Sequence, residues 1–366
     1  MRIALKDCSF ERCGDALIVV CDPSKQVELG DPEGHAEALL GALAVRPQTL
    51  TELRRTLAGC GVEVDPGELR DAVRMLDSLR LLEDADDRAG APGGRYFANR
   101  VFFDLFASLD TGTREYQRRL DAAHVLQLGT GGLGSNVVQC LSGLGVGRLT
   151  LLDHDIVEPR NFARQYLYRQ ADIGDSKVRR AANWVRDFDP HIEIAAVERR
   201  VTSAADLDDL LGGVDLVVSG IDQPDGIDGW VNEACVRAGV PWIRGGMLGT
   251  QLVYYSVDPG RSPCLACWQA DLDREAAVPG AASVAIRLGE TRPRINRGIG
   301  PAAALIGSLV GFEALRYLTR YEEPYAAGAR VYLETSDGCR QWREPWPADP
   351  DCALCAAAGQ RTQAVS

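Results

Sequence analysis

The sequence has no long uninterrupted apolar run. The longest, around Ala302 to Phe312, stops at Glu313 and Arg316 and reads as too short to cross a bilayer. The N-terminus, MRIALKDCSFERC, does not place an apolar core after a charged start, so no secretory signal is expected. Basic charge is in deficit: 40 Lys and Arg against 52 Asp and Glu leave a net −12 over 366 residues. This balance argues against a nucleic-acid or anionic-membrane partner held by bulk charge. Histidine is scarce, with only His35, His124, His154 and His191, and none lies near the cysteine pairs described below. No internal repeat is found. What remains is an ordinary globular mix, 46% hydrophobic and 25% charged. It can bury a sizeable core in roughly two to three domains. Eleven cysteines in a chain without a signal read as metal ligands or thiols before disulfides, and a cytoplasmic location is expected.

Residues 1–85 read as one winged-helix-like α+β unit. Short strands at Phe10–Arg12 and Ala16–Cys21 flank the turn Cys13-Gly14-Asp15, with a third at Gln26–Leu29. Three helices follow, at about 32–43, 50–58 and 66–81. Thr49 is the expected N-cap of the second, and Pro66 the first residue of the third after Asp65. The third alternates Glu68, Arg70, Asp71, Arg74, Asp77 and Arg80, then ends in Glu83-Asp84-Ala85-Asp86-Asp87. Such an acidic edge repels phosphate, so peptide binding or a purely structural role is favoured over DNA. Residues 86–94 are a linker by composition. The remainder, 95–358, is a larger α/β unit followed by a disordered tail, 359–366.

In the larger unit, strand and helix patterns alternate as in a doubly wound, mostly parallel Rossmann-like sheet. The first strand, Val125–Leu128, runs into Gly129-Thr130-Gly131-Gly132-Leu133-Gly134, a GxGxxG loop opening a helix. Glycines there let backbone approach phosphate, and the helix N-terminus favours negative charge. Asp153 ends the next strand 19 residues after Gly134, the spacing of a carboxylate on ribose hydroxyls. Taken alone, the loop serves NAD as readily as ATP.

Two CxxC pairs, Cys264/Cys267 and Cys352/Cys355, supply four thiolates and no open position, the donor set of a structural Zn²⁺. The other seven cysteines (8, 13, 21, 60, 140, 235 and 339) read as buried or incidental thiols.

The text Asp153-His154-Asp155-Ile156-Val157 … Asn161 … Arg164-Gln165 … Asp172-Ile173-Gly174-Asp175-Ser176-Lys177 resembles the signature of ThiF/MoeB-like adenylating enzymes, relatives of the ubiquitin-activating enzymes. The resemblance implies ATP and Mg²⁺. Asp153, with Asp155 beside it, would serve the ribose. Asn161, Arg164 and Lys177 would hold phosphates, Gln165 would line the adenylate site, and Asp222 would hold Mg²⁺. In the same family the two cysteine pairs bind zinc. Arg95-Tyr96-Phe97-Ala98-Asn99-Arg100 resembles the family segment whose second arginine enters the partner's ATP site, which makes Arg100 the candidate and a homodimer the expected assembly. The segment 269–297 contains no cysteine, unlike thioester-forming relatives. It reads as a lid carrying Arg287, Arg292, Arg294 and Arg297.

Residues 227–241, with Trp230, Asn232 and Cys235, resemble the microcin C-type peptide-modifying adenylyltransferases. The order of strands and helices in residues 1–85 is similar to a leader-peptide recognition element, in which the leader adds as a strand beside Ala16–Cys21 or its neighbours. The expected function is adenylation of a carboxylate on a ribosomally made precursor peptide. The alternatives are activation of a sulfur-carrier protein, a non-catalytic peptide scaffold, and a nicotinamide oxidoreductase.

Overall fold

The computed structural model describes residues 1–22, 25–87, 93–278, 280 and 298–355. The middle of the expected linker (88–92), the four lid arginines and the tail 359–366 lie outside these residues. The chain divides into two compact units, Met1–Arg118 and Arg119–Ser366, so residues 95–118 go with the first.

The first unit opens with strands β1 (Ile3–Leu5), β2 (Ser9–Cys13), β3 (Ala16–Asp22) and β4 (Lys25–Gly30). Helices α1 (His35–Val45), α2 (Leu50–Gly59) and α3 (Pro66–Ser78) follow, then strand β5 (Leu82–Asp84) and helix α4 (Phe97–Asp104). Helix α5 (Thr113–Ala122) spans the division. Leu17 and Val19 of β3 and Leu29 of β4 turn inward onto Leu40, Leu57 and Leu76 of the three helices. Thr49 and Asp65 each close a capping box, with Glu52 and Glu68, and Pro66 opens α3. Helix α1 begins three residues later than its sequence pattern suggests, because Asp31 takes the amides of Ala36 and Glu37 at 2.9 and 3.1 Å. Burial alone would raise the Asp31 carboxyl. Those amides and Arg12, 2.6 Å away, hold it below the usual range.

The sheet order β2-β3-β4 places β3 in the centre. Both of its edges are paired, so Ala16–Cys21 cannot itself accept an added strand, and only β2 and β4 have an open edge within this sheet. Cys8 and Cys21 form a disulfide, so they are not the incidental thiols expected from sequence. The reason is register: Ser9 pairs with Val20, which brings Cys8 opposite Cys21 with Cα atoms 4.0 Å apart. Strands β1 and β5 pair with each other and escaped the sequence reading. The three residues of β1, all buried, offer no alternation to detect.

The second unit contains β6 (His124–Leu128), α6 (Gly132–Leu144), β7 (Arg148–Asp153), α7 (Lys177–Phe188), β8 (Glu193–Glu198), β9 (Leu216–Ser219) and α8 (Ile227–Ala238). It continues with β10 (Trp242–Leu248), β11 (Gln251–Val257), α9 (Leu265–Ala277), α10 (Gly300–Thr319), β12 (Ala329–Glu334) and β13 (Arg340–Pro345). One eight-stranded sheet has the order β13-β12-β11-β10-β9-β6-β7-β8. The strands from β10 to β8 in that order are mutually parallel, and β11 to β13 add antiparallel. Winding reverses between β6 and β9, which opens a crevice at the carboxyl ends of these strands.

Helix α10 corrects the reading of the longest apolar run. At 20 residues it is long and apolar enough to cross a membrane by length and composition, the one such helix among the described residues. Packing, not length, defines it: α10 lies against α6, β10 and β11. It also carries a fully buried carboxylate, Glu313, which accepts from the Ser256 hydroxyl and the Ala326 amide, both at 2.9 Å. It is a core helix.

Candidate active site

The crevice is lined first by the glycine loop. Gly129 turns with φ 82°, and a side chain there would meet Ile221 Cγ1 at 3.1 Å and the Gly220 backbone at 3.2 Å. The turn after β9 is therefore seated directly on the loop after β6. Gly134 is tighter still, since a Cβ would lie 1.9 Å from the Gly129 carbonyl oxygen. Only glycine lets the first turn of α6 close against the strand end. Gly134→Ala should displace the loop and weaken ATP binding at least about tenfold, as measured by isothermal titration. Unchanged affinity would mean that the loop is not the phosphate cradle.

Asp153, buried at the end of β7, accepts from the Thr130 amide at 2.7 Å and its hydroxyl at 2.9 Å through Oδ2. Its Oδ1 accepts from the Asp155 amide at 2.9 Å. The carboxylate is thus locked beside the glycine loop and keeps lone-pair capacity for a further donor. Tyr168 adds a second tie, donating to the Thr130 carbonyl at 2.7 Å. Neither Thr130 nor Tyr168 was singled out from sequence: Thr130 is a variable position of its motif, and Tyr168 carries no spacing signal.

Arg164 and Gln165 reach the same loop. A Cβ on Gly132 would lie 3.2 Å from Arg164 Cδ, and one on Gly131 would lie 3.7 Å from Gln165 Nε2. The Arg164 guanidinium has no acidic partner among the described residues. Gln165 is buried, and its Oε1 has no hydrogen-bond partner there. An orphaned buried carbonyl beside a phosphate-type loop suits a ligand donor. Asn161, also buried, accepts from the Glu158 amide at 2.9 Å and fixes the turn that carries Arg164 and Gln165. Lys177, at the start of α7, is buried and donates to Asp155 at 2.8 Å. Burial would raise Asp155, but the bond and charge of Lys177 outweigh this and hold it low. Asp222 is exposed and directly follows Ile221.

The structure therefore gathers Gly129, Gly131, Gly132, Gly134, Asp153, Arg164 and Gln165, with the Asp155–Lys177 pair adjoining Asp153. The Leu133 side chain turns away onto Gly220 and Gly245 in the core. Arg100 lies in the first unit, where it donates to Thr113 Oγ1 at 3.1 Å and to the Asp87 carbonyl at 3.0 Å.

Away from this crevice, the four sulfurs of Cys264, Cys267, Cys352 and Cys355 lie within 4.8 Å of one another. The separations Cys264–Cys352 and Cys267–Cys355 are 3.7 and 3.5 Å. Four thiolates at roughly 2.3 Å from a tetrahedral Zn²⁺ stand roughly 3.8 Å apart, so the cluster fits that ion. Asn232 accepts from the Leu265 amide at 3.0 Å, and Trp346 donates to the Cys264 carbonyl at 3.2 Å, so side chains from α8 and the C-terminal segment brace the knuckle.

A doubly wound sheet, a glycine loop at its switch point and converging polar groups from the following loops define a nucleotide-binding α/β protein. Residues 104–354 match the ThiF family, and the chain belongs to it, as an adenylyltransferase of that superfamily. It is 31% identical over 244 residues to the molybdopterin-synthase adenylyltransferase of Salmonella typhimurium, covering 66% of this chain and 90% of that protein. Its fold is similar to Escherichia coli MccB with ATP, at TM-score 0.75 and 20% identity, over 97% of this chain and all (100%) of the other. The microcin C7 biosynthetic enzyme MccB in complex with N-formylated MccA matches at TM-score 0.74 and 20% identity, with the same coverage.

Proposed function

We propose that this adenylyltransferase activates a carboxylate, C-terminal or side-chain, of a ribosomally made precursor peptide during maturation of a peptide natural product. The observation that carries this reading is coverage. The family match begins at residue 104 and leaves most of the first unit outside it. The likeness to the MccB structures spans 97% of the chain, and one of those structures holds N-formylated MccA.

In this reading the glycine-loop amides and the N-terminus of α6 hold phosphate, and Asp153 holds the ribose. Arg164, Lys177 and Asn161 stabilise the leaving pyrophosphate. Lys177 exchanges its bond to Asp155 for a phosphate oxygen. Asp222 would hold Mg²⁺, which offsets phosphate charge. The peptide carboxylate attacks the α-phosphorus, the bond to the β-phosphate oxygen breaks, and an acyl adenylate forms. The four cysteines would hold a structural Zn²⁺. In a homodimer, Arg100 would leave Thr113 and Asp87 to reach the partner's nucleotide.

Two measurements test the reading. ATP–pyrophosphate exchange should depend on an added peptide. Exchange driven only by a carrier protein would instead favour the activity named for the Salmonella relative. On peptide binding, amide hydrogen exchange should slow along the open edge of β2 or β4 and stay unchanged in β3. Protection elsewhere alone would remove the clamp assignment.

A further inference from the structure

The register of the sheet draws a polar row across strands β9 to β12. Ser219 of β9 pairs with Arg244 of β10, Arg244 with Tyr255 of β11, and Tyr255 with Arg330 of β12. Residues paired in register share a face, so all four side chains stand on one side of the sheet. The row starts at the end of β9, two residues before Ile221, which abuts the glycine loop, and it leads away from that loop.

This row is unevenly charged. Arg244 donates through Nε to Asp228 at 2.8 Å, and the Tyr255 hydroxyl backs the same carboxylate at 3.3 Å. Asp228 is thereby shared, and the Arg244 side chain is only 14% exposed. Its Nη1 donates to the Gly245 carbonyl, and a Cβ on Gly246 would lie 3.8 Å from that same atom, in ordinary contact. Arg330 stacks on Trp268, its guanidinium carbon 3.5 Å from the ring centroid. It has no acidic partner among the described residues, and its Nε is buried without a hydrogen-bond acceptor. At the other end of the row the Ser219 hydroxyl is likewise buried and unpaired. The row thus holds two guanidiniums of which only Arg244 has a carboxylate beside it, with an unpaired polar atom at each end, Arg330 Nε and Ser219 Oγ. Asp222 also acts on Arg244 electrostatically, but it lies on the nucleotide side of the row. Such groups are costly to bury unless something supplies the missing acceptor. A planar fork is the geometry that takes a carboxylate.

We propose that Arg244 and Arg330 form an anion subsite that selects an acyl substrate bearing a carboxylate side chain at or next to the position being activated. This rests on the peptide-adenylating reading and narrows its substrate class. Asp228 and Tyr255 act as positioning residues that fix the Arg244 fork.

The test uses the full chain with a non-hydrolysable ATP analogue. Glutarate and its uncharged counterpart glutaramide are titrated by calorimetry and by the fluorescence of Trp268 and its neighbours. Glutarate should bind and glutaramide should not. Arg330→Met and the charge-balanced double variant Arg244→Met with Asp228→Asn should each weaken glutarate about tenfold or more. Affinity for the nucleotide analogue should stay at the parent value, which also reports that each variant is folded. Equal binding of the two probes, no glutarate binding by the parent, or parent-like glutarate binding by both variants would overturn the subsite. Because these probes contain no peptide bond, the result is read separately from whether a peptide supports exchange.

Discussion

Asp222→Ala should abolish ATP–pyrophosphate exchange, with a loss of about a thousandfold, the scale seen when a preorganised charge-stabilising group is removed. The expectation rests on how the residue is held. Ile221 abuts the glycine loop, so the next residue is held close to that loop. Asp222 is exposed just beyond the carboxyl end of β9, where it would hold a Mg²⁺ that offsets phosphate charge. The sharper readout is binding. In the parent, Mg²⁺ should tighten ATP, and in Asp222→Ala it should no longer do so, while binding of the proposed precursor peptide to the full chain is untouched. If Mg²⁺ still tightened nucleotide to the parent extent, the metal carboxylate would lie elsewhere.

Removing the cysteine cluster should have the largest effect on stability. Replacing Cys264 or Cys352 by Ser, or treating the chain with a strong chelator, should release bound zinc and lower the melting temperature of the second unit by more than about 15 °C. Structural zinc in small modules is worth roughly 10–16 kcal/mol at neutral pH, and even a small part of that would account for the shift. The cluster ties residues 88 positions apart, and Cys264 also anchors Trp346. Tryptophan fluorescence should therefore follow metal loss directly. Cys60→Ser, at an exposed thiol, is the control and should leave both metal content and melting unchanged. Metal content below one ion per chain in the parent, or full stability after chelation, would remove the zinc assignment.

Much of the nucleotide half was legible in the sequence because its chemistry lies in short, continuous segments. The glycine loop, Asp153 and the run from Asn161 to Lys177 follow one another within about fifty residues. The strands between them are buried apolar runs, as parallel strands covered on both faces must be. The antiparallel half of the sheet was not legible in the same way. Arg244, Tyr255 and Arg330 come from three strands joined antiparallel, and only their register makes them neighbours. The same limit hid the Cys8–Cys21 disulfide, which depends on the pairing of two strands and not on spacing. It also hid the central place of β3, because the order of strands in a sheet is not written in any one of them. In α10 the composition was plain, but Glu313 looked like the end of an apolar run. It is a buried carboxylate near the middle of a longer helix.

The two halves of the large sheet also differ in when they can be completed. The pairings of β6 with β7, β7 with β8 and β6 with β9 use nothing beyond residue 219, whereas β12, β13 and the second cysteine pair come from the last forty or so residues. Contacts of such wide sequence separation are slow to close. During synthesis the emerging chain can therefore pair its four parallel strands β6 to β9 while the strand bearing Arg330 is still inside the ribosome.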